Sequence, residues 1–387
     1  MPLTDSSPKR LTELDSLRGI AALTVVFSHF QILWLYESMA NSSRMARRIF
    51  WYATSPFSDG HEAVILFFVL SGFVLSIPAI VEKAQTYPVF ITRRIFRIYF
   101  PYLAALALAV LGCMKFHGPV TNSEWMRPFW SSAVDWHLVG QHILFLGSYD
   151  ATQYDPPIWS LIYEMRISLI FPVLCALALK LKPAPSLLFG VALSVATAVL
   201  INLYGHDDTT AYLLLTLHYA GIFVVGIYLA RQQKRIAEFY RSRSRTARIV
   251  AAFVAALLYI YAGGAWTNFM RPSADRGLAL TGGDWFTVLG ASAFMVFSLN
   301  SEHCRRFLNW RPVHMLGQMS YSLYLLHFIV LMLLLHLLYG KVPLLIIFAL
   351  CLVFSIAASW VFYRAVEKPC MNLGRRLSQI MIHSQTK

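Results

Sequence analysis

Arg18 and His29 are the first residues whose types and spacing suggest chemistry. They lie eleven positions apart in the stretch LDSLRGIAALTVVFSHF, Leu14 to Phe30. At about 100° per residue, eleven steps turn a helix about 1100°, or three turns plus about 20°, so the two side chains share a face. At about 1.5 Å per residue they stand about 16 Å apart along the axis. If Arg18 sits at a membrane surface, His29 lies well inside the hydrocarbon, where an ionisable group is costly and reads as functional. A neutral imidazole there can take a hydroxyl proton as a general base. Arg18 is always protonated and suits an anionic group instead. The plain alternatives are a surface anchor for Arg18 and a helix-to-helix hydrogen bond for His29.

Other residues could join them. Arg93, Arg94 and Arg97 form a basic cluster on the same expected side as Arg18. Planar guanidinium groups there could hold phosphates in pairs of hydrogen bonds, or could simply anchor the chain to anionic lipid. Ser320, Tyr324 and His327 are spaced i, i+4, i+7 and make a polar stripe on an apolar helix, either as glue between helices or as the lining of a site. Glu164 and Arg166 lie about 200° apart on one helix, so each needs a partner on another element. Ser71 and Gly72, in the run FFVLSGFVLS, supply the small side chains that allow close helix contact. His61 and Glu62 open the second span and could line an entrance or be ordinary interfacial residues. The chain has no H-E-x-x-H, G-x-S-x-G or nucleotide-loop motif, which leaves metalloprotease, hydrolase-elbow and NTPase chemistry without support.

These residues need elements to position them, and the composition says which. The 387 residues are 57% hydrophobic and 13% charged, with a mean hydropathy of +0.56, values that a soluble core cannot absorb. The expected fold is all-α, a polytopic membrane bundle of about ten transmembrane helices, because the apolar runs match about 30 Å of hydrocarbon. A leader over 1–13, expected to be frayed, precedes a membrane domain over 14–370 and a cytoplasmic tail over 371–387. The first apolar run has no cleavage site after it and is expected to be a retained span. Arg44, Arg47 and Arg48 fall in what reads as a loop, and the interval 115–155, rich in Trp and His, is expected to roof one face, with a short helix near 139–147. With both termini in the cytoplasm, the loops and tails on that side hold 24 Lys and Arg against 8 outside, so the orientation is N-in, C-in. The net charge of +14 then reflects topology and contact with membrane lipid, and no nucleic acid partner is expected. The five cysteines are unpaired in spacing and indicate neither a disulfide frame nor a metal site.

Several separated stretches resemble one family, the bacterial membrane acyltransferase-3 proteins, which O-acetylate or O-acylate cell-surface polysaccharide, peptidoglycan and antibiotic sugars. The similar stretches are LDSLRGIAAL with His29 placed as R-x10-H, FFVLSGF at Phe67 to Phe73, RRIFRIYFPY at Arg93 to Tyr102, SYSLYLLH at Ser320 to His327, and FYRAVEKP at Phe362 to Pro369. The resemblance implies acyl transfer to a hydroxyl from acyl-CoA, acetyl-CoA above all, in the bacterial inner membrane. It makes Arg18 and His29 the signature pair, Arg94 and Arg97 the R-x-x-R pattern of the donor site with Arg93 beside it, and Glu367 the acidic residue near the end of the last span. Ser71, Glu164, Tyr324 and His327 would then line the substrate path, with Tyr324 or Ser71 as candidate oxyanion donors. The acceptor would be a carbohydrate or lipid-linked glycan, and no metal is called for. Two departures stand out: Ile65 replaces an acidic residue before FFVLSGF, and Met165 follows Glu164 where relatives carry a second glutamate. Many relatives append a soluble esterase-like domain. This chain ends about twenty residues past its last span, so the membrane domain is expected to be the whole protein. The rival reading is a transporter with the histidines as a proton relay, for which inverted repeats and broken helices would be expected.

Overall fold

The computed structural model describes residues 11–81, 85–121, 123–147, 150, 152–270 and 275–385. The leader up to residue 10, Lys83 of the basic stretch, and Thr386 and Lys387 of the tail lie outside the described residues. Among the described residues, ten helices are long and apolar enough to cross a membrane. We number them α1 (Thr12–Glu37), α2 (Gly60–Ile80), α3 (Tyr87–Lys115), α4 (Ile158–Lys180), α5 (Pro183–Tyr204), α6 (Asp208–Arg231), α7 (Arg245–Met270), α8 (Arg276–Asn300), α9 (Ser320–Leu338) and α10 (Leu344–Ser384). Helices are the only regular elements among the described residues, as hydrocarbon demands of a chain that must satisfy its own backbone polar groups. The protein is a multi-pass membrane protein.

Small residues set the core of the bundle. A Cβ on Gly72 of α2 would stand 2.1 Å from the carbonyl oxygen of Phe223, and one on Gly226 of α6 would stand 2.2 Å from that of Val69. The two backbones therefore touch, as the SGF run suggests. α1 is held in the same way: a Cβ on Gly19 would lie 2.5 Å from the backbone nitrogen of Gly317, in the short helix Arg311–Gln318. α7 and α10 stand at the periphery and turn Phe253, Val353, Phe354 and Val361 outward, a lipid-facing pattern.

Three features depart from regular spans. π-turns interrupt α3 at Ile95–Tyr99, α7 at Leu258–Ala262 and α10 at Tyr363–Glu367. Such turns are uncommon and tend to mark functional positions. Arg44–Ser58, read from sequence as a loop, is a helix, because Ser43 caps it by accepting from the Ala46 N–H at 3.2 Å and its residues alternate apolar and basic faces. The roof over 116–157 carries the helix Trp136–Leu144, where the sequence suggests one, and buries Trp130, whose indole donates to the carbonyl of Tyr154 at 2.9 Å. Residues 371–385, expected as a tail, continue α10 as helix; Gly374 there packs against Phe96 of α3.

Candidate active site

α1 delivers its two signature residues to different places. Arg18 lines a cavity of about 550 Å³ near one end of the bundle, with Arg93, Arg94, Arg97 and Glu164 around it. His29 lines a second cavity, of about 990 Å³, with Trp125, Trp159, His61 and Asp284. Val64 and Tyr324 line both, so one thin layer separates the two. The eleven-residue spacing thus reaches from one cavity to the other.

Hydrogen bonding settles the form of His29. His327 on α9, buried, places Nδ1 at 2.9 Å from the carbonyl oxygen of Leu323. A carbonyl only accepts, so that nitrogen carries the proton and His327 Nε2 is the acceptor of a neutral ring. His29 Nδ1 lies 3.0 Å from His327 Nε2 and must therefore donate. What remains on a neutral His29 is a bare Nε2, the nitrogen a general base uses. The ring is fixed further by stacking: Trp125 of the roof lies at 5.7 Å and 27°, and Phe328 meets it edge-on at 5.0 Å.

The arginine cavity contains one committed guanidinium and three less committed ones. Arg94, buried in α3, pairs with Glu164 of α4 at 2.7 Å and donates from Nε to Ser168 at 3.0 Å. Ser71 donates to the same glutamate at 3.3 Å. Glu164 thus finds its partners on α2 and α3, and Arg166 finds its own in the roof, donating to the carbonyls of Leu146 at 3.0 Å and Gly147 at 2.6 Å. Arg97 sits in the π-turn of α3 and forms no ion pair among the described residues, while Arg18 has only Asp15 at 3.9 Å. The buried Nε of Arg93 has no hydrogen-bond partner among the described residues. The cavity therefore offers donors and positive charge from Arg18, Arg93 and Arg97 to an anion.

The layer between the cavities is fastened. Tyr324 donates to the carbonyl of Pro157 at 3.0 Å and shares a hydrogen bond of 2.7 Å with Ser160. Its proton is engaged, as is that of Ser71, so each would have to let go of a partner before serving an oxyanion. Just ahead of Pro156 and Pro157, the Asp155 carboxyl is wholly buried without a hydrogen-bond partner among the described residues on either oxygen, and burial pushes its pKa well above the usual carboxylate range. Glu367, in the π-turn of α10, lines neither cavity. Its carboxylate accepts from Ser322 on α9 at 2.6 Å, five residues ahead of His327, which makes it a brace for α9 rather than a neighbour of His29.

Sequence reasoning missed a second polar group. His61 Nε2 lies 2.7 Å from Asp284 Oδ1, His218 Nε2 lies 3.0 Å from Asp284 Oδ2, and Ser194 Oγ lies 2.8 Å from His218 Nδ1. Asp284 and His218 sit in spans that look plainly apolar, and a lone carboxylate within a span is the only signal that could have found them. Ser194 is buried and lines neither cavity, so this Ser-His-Asp arrangement offers no nucleophile to a ligand.

The sequence model of a family described as "Acyltransferase domain" matches residues 11–364. The peptidoglycan O-acetyltransferase OatA of Listeria monocytogenes is similar at 21% identity over 345 residues, covering 84% of this chain and 50% of that protein. The O-acetyltransferase OatA of Staphylococcus aureus is similar at 23% identity over 384 residues, covering 95% of this chain and 58% of that protein. The chain thus spans about half the length of the curated relatives it matches. No solved structure matches it.

Proposed function

Since the chain belongs to the Acyltransferase-domain family of membrane proteins, we propose that it is an O-acyltransferase that moves a short acyl group, acetyl foremost, from acyl-CoA to a hydroxyl of a cell-surface glycan. The observation that carries this reading is the pair of cavities. One offers three guanidinium groups suited to phosphates, the other holds a histidine with a bare Nε2, and the two meet at Tyr324 and Val64. The glycan acceptor follows from the relative named for peptidoglycan. The orientation that fits is N-in, C-in, with the arginine cavity facing the cytoplasm, where acyl-CoA is made, and the membrane domain taken as 14–370.

In this mechanism the anionic part of the donor rests on Arg18, Arg93 and Arg97, each able to give charge-assisted hydrogen bonds to phosphate. Arg94 fixes the wall through Glu164. The thioester tip passes the Tyr324 layer to reach His29. The acceptor hydroxyl gives its proton to His29 Nε2 as its oxygen attacks the thioester carbonyl. The tetrahedral intermediate then collapses with cleavage of the C–S bond, and the proton passes from Nε2 to the departing thiolate. The products are an O-acyl ester and free coenzyme A. Glu367 acts at a distance, by holding α9 through Ser322 and so holding His327 against His29.

Two variants of the protein in proteoliposomes test the division of labour. His29→Gln lacks a titratable nitrogen and should bind acetyl-CoA normally while losing about a hundredfold or more in transfer. Arg97→Ala should weaken acetyl-CoA binding by about tenfold or more, the loss of a charge-assisted bond. Near-normal turnover in the first, or unchanged donor affinity in the second, would remove the assigned role.

A further inference from the structure

The His29 cavity has an excess of carboxylates that the transfer chemistry does not use. Asp59, Glu62 and Asp284 all line it, against one guanidinium, Arg48, exposed at its edge. Asp284 is accounted for by His61 and His218. Asp59 and Glu62 form no ion pair among the described residues, and both are more than nine-tenths buried, at 8% and 9% exposure.

Asp59 holds the N-cap position of α2, where an aspartate ordinarily turns back to accept from the first free N–H groups of the helix. It makes no such bond, and its Oδ2 is buried without a partner among the described residues. Its carboxylate is therefore not explained by the helix it precedes. Glu62 stands one turn further in, and Gly263 of α7 keeps its Oε1 open: a Cβ at that glycine would come within 3.3 Å of it. Among the described residues no three His, Cys, Asp or Glu side chains converge as metal ligands, so the geometry favours a cation that hydrogen bonds in several directions rather than one that coordinates. Aromatic faces line the same cavity. Trp159 stacks on His61 at 6.1 Å and 11°, and Tyr52 and Tyr261 lie together at 6.1 Å. Such faces receive the C–H side of a sugar ring and attract a cation beside it.

We infer that Asp59 and Glu62 form an ammonium subsite, and that the acceptor is a saccharide carrying a free amino group near the hydroxyl that is acylated. The amine donates to the two carboxylates while the ring lies on the aromatic wall, which turns one hydroxyl towards His29 in the same cavity. This reading rests on the acyl-transfer reading of that cavity, but it is tested by binding alone.

The experiment uses the full chain in lipid nanodiscs and compares a glucosamine tetrasaccharide with its fully N-acetylated twin by calorimetry, at a pH that keeps the amines protonated. The amino form should bind about tenfold or more tightly, and that preference should vanish in the near-isosteric Asp59→Asn/Glu62→Gln protein. Glu62→Gln alone should reduce it, and acetyl-CoA binding, read in parallel, reports that each variant is folded. Equal affinity for the two saccharides, or a preference that survives the double substitution in folded protein, overturns the subsite. Loss of transfer to every acceptor with the preference intact would sink the acyltransferase reading and leave the subsite standing.

Discussion

The bond between His29 and His327 decides which nitrogen of His29 is left for chemistry, and its direction rests on a backbone carbonyl that cannot change role. A residue at 327 must accept a hydrogen bond from the His29 Nδ1–H. We therefore expect His327→Gln, whose amide oxygen can accept, to keep much more transfer activity than His327→Leu, which cannot. The loss in the leucine variant should stay below about a hundredfold, the low end of what a general base contributes, because His29 keeps its own bare nitrogen. Steady-state transfer rates at matched donor occupancy distinguish the two; equal rates would reduce His327 to packing. His29 was legible in the sequence through its spacing from Arg18 and its depth in an apolar run. Its partner was legible only as a polar stripe, because nothing local ties residues 298 positions apart. Trp125, Asp284 and His218 were not legible as site residues, since their meaning comes from what tertiary packing sets against them.

At the scale of elements, the Arg94–Glu164 pair joins α3 to α4 and closes one wall of the arginine cavity. Both side chains are largely withdrawn from solvent, so removing one leaves a costly charge behind. Glu164→Leu is expected to destabilise the protein by about 3–5 kcal/mol, and adding Arg94→Leu should recover much of that. Thermal unfolding in detergent measures both; additive losses would show that the two charges are not coupled. The sequence places Arg94 and Arg97 as i, i+3 neighbours on a regular helix. The structure starts the π-turn Ile95–Tyr99 directly after Arg94 and places Arg97 within it; Arg94 joins the buried pair, while Arg97 forms no ion pair among the described residues. A π-turn is decided by packing rather than by residue type, so spacing arguments cannot foresee it. Span number and order were legible because a run of about twenty apolar residues has one stable use. The helix Arg44–Ser58 was not, because its three arginines and polar residues read as a loop and its apolar side chains Met45, Ile49 and Phe57 stay exposed, outside the core.

At the scale of the whole molecule, the proposed transfer needs the two cavities to open on opposite sides of a membrane, and the excess of Lys and Arg in alternate loops is the ground for proposing the arginine cavity on the inside. A cysteine placed between Arg231 and Arg248 should then escape an impermeant thiol reagent in intact cells, whereas one between Gly205 and Asp208 should react. The reverse pattern would invert the orientation and with it the direction of transfer. The thin layer at Tyr324 and Val64 has a further consequence. Where conducting recesses approach from both faces, the membrane voltage falls mainly across the insulator left between them. Moving one elementary charge through it involves electrical work of about 2.3 kcal/mol for each 100 mV or so. A neutral acyl tip feels none of this, whereas a potential negative inside would pull anionic phosphates outward across the layer, so that holding the donor back falls to the cationic side chains Arg18, Arg93 and Arg97. In an energised cell the arginine cavity would thus have to hold the charged carrier against the voltage while the uncharged cargo crosses without electrical work.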